Sequence, residues 1–284
     1  MKKYLVLLLT TITLLSAGTM SFEQTKGTSK IHMPFQYDDN GQCDQIIERK
    51  AYMSCYSYKN KIPLFVAYKL TKESVSPSLK RPSRFYYDNS VPSKYRSKLS
   101  HYKRTGYDRG HMMENASADY DKQAQLETFL LSNIVPQNSN LNRTAWAYLE
   151  KATRIAAKRY GKIYVITGAI PSKNNFLKKG HVNIPKQMYK IIYIPSQEKT
   201  NVILVPNDKT VSKNEILTSK YKSSLTEIES LTGIKFNLKE VNNVPEQKEI
   251  IKEKTEEKSF YERMKEKAKE IDYKDIYYKA KRAI

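Results

Sequence analysis

Two stretches decide how this chain is read: YDRGHM at residues 107–112 and LSNIVPQNSNLNRTAWAYLE at residues 131–150. The first sets a carboxylate, a guanidinium and an unhindered glycine directly before an imidazole, Asp108 to His111, a side chain that takes a proton near neutral pH. The second leads into a helical period. From Asn142 to Tyr160, Trp146, Leu149, Thr153, Ala156, Ala157 and Tyr160 recur at three- and four-residue steps, and Gly161 supplies a stop. Taken singly, Asp108–His111 reads equally well as a turn, Asn142 as a helix cap and Glu150 as a solvated helix charge.

Outward from these stretches, IPLFVAYKL at 62–70 and KIYVITGAI at 162–170 are compact β-prone runs, and MYKIIYIP and NVILVP follow as a further pair of strands. A second helical spacing starts near Asp121, with Leu126, Phe129 and Leu130 on one face. Residues 80–107, rich in Pro, Ser, Arg and Tyr, read as a long loop delivering the chain to Asp108. Strands with helices inserted between them predict an α+β fold.

The chain of 284 residues carries 50 Lys+Arg against 29 Asp+Glu, a net +21. The segment 245–284 holds 12 basic and 10 acidic side chains and the first 18 residues add two lysines, so residues 19–244 keep a net +17. A field of that size favours polyanions, nucleic acid first and anionic membrane surfaces second. Lysine outnumbers arginine 39 to 11, which AT-rich coding DNA would produce without selection for binding. At 39% hydrophobic the chain has enough apolar side chains for a core, which excludes wholesale disorder.

Lys2 and Lys3, an uncharged run from Tyr4 to Leu15, and then Ser16, Ala17 and Gly18 follow the order of an export signal, residues 1–18. The alternative is an uncleaved anchor, for which an apolar core this short is a poor span; no later segment approaches the ~20 apolar residues a bilayer requires. The expected destination is the periplasm or the medium, with no stable membrane insertion. Cys43 and Cys55, the only cysteines, are then expected to form a disulfide, the alternative being two buried thiols. The remaining organisation reads as an N-terminal arm at 19–60, one main domain at 61–243, and a Lys/Glu-rich tail at 244–284. That tail is either an appended charged helix, with Phe260, Met264, Ala268 and Ile271 at near-helical spacing, or a solvated extension.

Of four histidines, His32, His101 and His181 read as surface residues, and His111 stands apart. DRGH followed by Asn133, Asn142 and Glu150 at the spacing N-x8-N-x7-E, with PQ between and W-x-x-LE at the end, resembles the DNA/RNA non-specific endonuclease family. The likeness covers roughly residues 62–205. Independent structural readings of the three pieces leave this shared spacing unexplained.

The resemblance implies a ββα-metal (His-Me finger) fold with a mixed, mainly antiparallel sheet and inserted helices. It makes His111 the general base, Asn142 the direct ligand of a magnesium ion that manganese could replace, and Glu150 a carboxylate reaching the metal through water. Arg109 and either Arg81 or Arg84 would contact the scissile phosphate, Asn133 would support the site, and Asp108 would either meet substrate or orient the turn. The implied activity is hydrolysis of DNA and RNA to 5′-phosphate and 3′-hydroxyl ends. Attack by external water needs no 2′-hydroxyl, and phosphate contacts carry no sequence information, so sugar and base are both ignored. Two other classes compete: a catalytically silent nucleic-acid binder of the same fold, and a phosphodiesterase for small substrates. One departure stands out. Where many relatives continue HLAPAAD, this chain runs HMMENASAD, which leaves a role for Glu114 or Asn115 open.

Overall fold

A computed structural model describes residues 19–21, 35–76 and 79–238. The expected export signal and the 244–284 tail lie outside the described residues. In chain order the strands are β1 (Thr19–Ser21), β2 (Phe35–Asp38), β3 (Gln45–Glu48), β4 (Tyr52–Ser57), β5 (Ile62–Thr71), β6 (Tyr107–His111), β7 (Ile134–Asn138), β8 (Lys162–Ile170), β9 (Gln187–Ile194), β10 (Lys199–Pro206) and β11 (Lys235–Leu238). The helices are α1 (Leu99–Tyr102), α2 (Lys122–Glu127), α3 (Ser139–Leu141), α4 (Ala147–Tyr160) and α5 (Leu225–Thr232).

A six-stranded antiparallel sheet in the order β10-β9-β8-β5-β4-β3 forms the platform. It is buried on both faces, and the period of two sorts its side chains between two cores. Val66, Tyr68 and Leu70 of β5 and Ile163 and Val165 of β8 face the core that holds α4, whereas Phe65, Ala67, Tyr164 and Ile166 face a second core with Ile228 of α5 and Phe236.

The division at residue 60 does not hold. Strands β3 and β4 are built into the sheet, with Tyr52, Met53, Cys55 and Tyr56 buried, because an apolar run next to β5 finds its hydrogen-bond partners only there. The stretch read as polar arm supplies β2, paired with β1 and β11. Cys43 and Cys55 are disulfide-bonded, tying the chain before β3 to β4.

The expected long loop at 80–107 contains a 3-10 turn at Ser93–Tyr95 and the short α1. Helix α2 starts on Asp121, whose side chain accepts from the Ala124 N–H, but it stops before Phe129 and Leu130. These two residues leave the helix to meet the 85–86 segment, where Leu130 bridges Tyr86. The 142–160 helix is continuous with α3 through a π-helical turn at Asn142–Trp146. Trp146 is fully buried and anchors α4 on the sheet.

Candidate active site

The antiparallel ribbon β6–β7 and the helical segment that follows it carry the site. Gly110 has a local necessity: a Cβ there would lie 2.2 Å from Gln137 Oε1, so no side chain fits where β7 crosses β6. In the strand alternation Arg109 and His111 share a face and Asp108 takes the other. Both former groups meet Phe85: the Arg109 guanidinium lies 4.7 Å over its ring and the imidazole 5.2 Å from it. Phe129 closes the other side of His111 at 5.0 Å, edge to face.

His111 is 8% exposed, and its Nε2 is sealed from solvent without a hydrogen-bond partner. Nδ1 is then the nitrogen left open to the cleft. Burial, reinforced by the charges of Arg81 and Arg109, lowers the imidazole pKa to about 3, so the ring is neutral near pH 7. Arg81 lies 5.2 Å over the Phe129 ring and acts electrostatically on both His111 and Glu150. It is therefore Arg81, through its contact with Phe129, that the fold brings to the cluster.

Asn142 enters from the start of the helical segment. Its Nδ2 donates to Asp108 Oδ2 at 2.9 Å, which directs the amide and leaves Oδ1 without a bond among the described residues. Asp108 is occupied on both oxygens, because Arg143 Nε and Nη2 donate to it at 2.8 and 2.7 Å. Burial opposes its ionisation, but the Arg143 and Asn142 bonds outweigh that and hold its pKa below the ordinary carboxylate value. Asp108 thus orients Asn142. These bonds are those of the orienting reading of Asp108.

Asn133 is fully buried and does not open on the cleft. Its Oδ1 accepts from the Met113 N–H at 3.0 Å and its Nδ2 donates to the Met113 and Thr128 carbonyls, both at 2.9 Å. It pins the chain just beyond His111 to the segment carrying Phe129, a support without contact to reacting atoms.

Glu150, partly buried on α4, has its pKa raised by burial and by the neighbouring Glu114 charge. Around it lies a network the sequence reading missed. Glu114 accepts from Arg154 Nη1 at 2.9 Å, from the Ser117 hydroxyl, and from the Tyr68 hydroxyl at 3.4 Å. The fully buried Lys190 donates to Thr167 Oγ1 at 2.6 Å and Tyr68 Oη at 3.0 Å, and its Nζ stands 5.2 Å over the Trp146 ring. Burial disfavours the Glu114 carboxylate, but Lys190 and Arg154 hold it ionised. Two signals were present: Arg154 falls four residues after Glu150 on α4, and Lys190 interrupts an apolar strand. Asn115, beside Glu114, sits buried in a 3-10 turn.

For a cation, Asn142 offers a carboxamide oxygen, and Glu150, which like His111 feels the charge of Arg81, offers a carboxyl group. Among the described residues no three His, Cys, Asp or Glu side chains cluster as a cage. That sparse oxygen set suits a hard ion such as magnesium, which keeps most of its water, and suits zinc poorly.

The sequence model of the DNA/RNA non-specific endonuclease family matches residues 32–244. Nuclease C1 of Cunninghamella echinulata is 31% identical over 218 residues, covering 71% of this chain and 86% of its own length. The mitochondrial nuclease of Saccharomyces cerevisiae is 30% identical over 226 residues, 71% of this chain and 68% of its own. Human mitochondrial endonuclease G is 28% identical over 207 residues, 68% and 69% of the two chains. Among solved structures, that of the EndoG/EndoGI complex aligns with a TM-score of 0.62 at 28% identity, covering 67% of this chain and 84% of that one.

Proposed function

The chain belongs to the DNA/RNA non-specific endonuclease family and has its α+β, ββα-metal fold, and from that premise we propose how its residues work and where. The enzyme is a phosphodiester hydrolase acting on DNA and RNA. In our reading, His111 Nδ1 accepts the proton of a water attacking phosphorus in line, and the bond to the 3′-oxygen breaks. A phosphate anion entering between Arg81 and Arg109 neutralises the two charges that depress the imidazole. Substrate therefore makes His111 a better base at the moment it is needed. The guanidiniums, freed from any carboxylate partner, stabilise charge developing on the phosphoryl oxygens.

Magnesium, or manganese in its place, would be held through Asn142 Oδ1, with Glu150 reaching it through water. Bound there, it supplies charge neutralisation for the departing 3′-oxygen. Asp108 keeps the Asn142 oxygen aimed outward, and the positive charges of Lys190, Arg154 and Arg81 favour the Glu150 carboxylate against burial and the Glu114 charge.

The observation that carries this reading is the imidazole clamped between Phe85 and Phe129 with its Nε2 sealed from solvent. Digestion of plasmid DNA and of RNA, with magnesium and with a chelator, tests it. We expect both polymers to be cut, both activities to vanish on chelation, and His111→Ala to bind duplex without cutting it. Chelator-resistant cleavage removes the metal from the reading, and an active His111→Ala removes the base.

The charge order of residues 1–18 and the Cys43–Cys55 disulfide support export to the periplasm or medium. Finding the protein in the cytosol with Met1 intact would overturn that placement.

A further inference from the structure

A second basic site lies at the opposite end of β6 from His111. A cavity of about 690 Å³ opens between the 103–107 turn and the 175–184 loop, lined by Lys103, Arg104, Tyr107, Phe176, Lys178 and Lys179 among others. The two surrounding stretches are one-sided in charge: residues 93–106 hold five Lys or Arg and residues 171–186 hold four, with no Asp or Glu in either. Lys103, Arg104, Lys178 and Lys179 are exposed, and among the described residues none of the four pairs with a carboxylate. Unpaired like charges gathered round one cavity repel each other and gain only when an anion enters.

Both walls are held in place. Thr105 Oγ1 donates to the Tyr102 carbonyl at 3.0 Å and accepts from the Tyr107 N–H at 3.3 Å. On the other wall the Leu177 N–H donates to the Val182 carbonyl at 2.8 Å, the Ile184 N–H to the Asn175 carbonyl at 2.9 Å, and the Phe176 and His181 rings stack at 3.9 Å. The walls meet at Gly180, whose φ is +76° and where a Cβ would fall 2.2 Å from His101 Nδ1. Lys61 Nζ fastens the same glycine by donating to its carbonyl at 2.9 Å. The cations therefore stand on preformed loops.

Tyr107, in the cavity wall, shares its strand face with Arg109 and His111. Four residues of strand separate it from the imidazole by about 13 Å. Phosphates wind about the helix axis as they rise ~3.4 Å per step, so neighbours on one strand stand about 6–7 Å apart and this distance spans about two nucleotides.

We propose that this cavity is a distal phosphate subsite, gripping the backbone of a nucleic acid strand about two nucleotides from the bond being cut. It rests on the endonuclease reading above. The subsite makes the enzyme favour polymers over short fragments, because a dinucleotide carries only the phosphate being cut.

The test measures binding of a labelled 20-base-pair DNA duplex by fluorescence anisotropy across a salt series, in the His111→Ala background. Lys178→Ala/Lys179→Ala is compared with the quadruple variant that adds Lys103→Ala and Arg104→Asn. Asparagine is chosen because residue 104 has a φ of 59°, which asparagine tolerates. A control removes two equivalent exposed charges at Lys158 and Lys162.

We expect the log–log salt slope to flatten by about 2 in the double variant and about 4 in the quadruple, with affinity near 0.1 M salt down about 10-fold or more. With His111 restored, the loss of cleavage on duplex should exceed the loss on bis(p-nitrophenyl) phosphate by about 10-fold. Unchanged slope in the double variant, or an equal change in the Lys158/Lys162 control, overturns the subsite. Equal losses on duplex and small substrate do so as well. Parent protein that neither binds nor cuts duplex overturns the endonuclease reading, and the subsite with it.

Discussion

The cleft around His111 and the network under α4 use the same residue types in opposite ways. In the cleft, Arg81 and Arg109 lie over phenyl rings and pair with no carboxylate among the described residues. Under α4, Arg154 is bonded to Glu114, and Lys190 is fully buried with hydrogen bonds to Tyr68 and Thr167. An exposed, unpaired guanidinium keeps its field available for an incoming anion. A buried cation without a partner would cost several kcal/mol, so there each charge is answered by another. Pairing and burial, rather than residue type, therefore separate the cations left open to an incoming anion from those that hold the scaffold.

The largest effect expected is on the cleft side. His111→Ala should lower kcat by about 10²–10⁴-fold, the usual contribution of a general base, with duplex affinity retained in anisotropy measurements. On the network side, Glu114→Gln should destabilise the fold by about 3–5 kcal/mol in urea titration, because Arg154 and Lys190 lose their counter-charge. Were Glu114→Gln neutral in stability, the contrast between the regions would be gone.

Arg109→Ala sharpens the contrast. We expect cleavage of DNA and RNA to fall together by about 10²-fold, while stability stays within about 0.5 kcal/mol of wild type. Loss confined to RNA would contradict phosphate recognition.

The smallest effect concerns His111 itself and pH. Its folded pKa lies below its unfolded value of about 6.5, so between pH 6.5 and about 3 the unfolded state binds the extra proton and stability falls as pH falls. Wild type should thus lose about 2 kcal/mol relative to His111→Leu between pH 7 and pH 5 in paired urea titrations. Parallel stability curves for the two proteins would show an imidazole that is not held neutral.

Much of this was legible in the chain. The β-prone runs at 62–70 and 162–170 became β5 and β8 because each can bury both faces, and Trp146 with Leu149 announced the buried side of α4. The arm was misread because residues 45–57 form two short strands that pair with each other and with β5, and β4 is buried throughout, so no alternation of apolar and polar residues marks them. Phe129 was read as a helix-face residue, yet it leaves α2 to clamp His111.

The sequence by itself determined the chemistry available: an imidazole behind Asp-Arg-Gly, a carboxamide at a helix start, a carboxylate eight residues on, and a large positive charge. Only the tertiary structure decided which arginine reaches the cluster, that Asp108 bonds both Asn142 and Arg143, and that Glu114, Arg154 and Lys190 form one network. Spacing along a chain records what a helix or strand can align, whereas a charge's role depends on the distances and burial set by segments far apart in sequence.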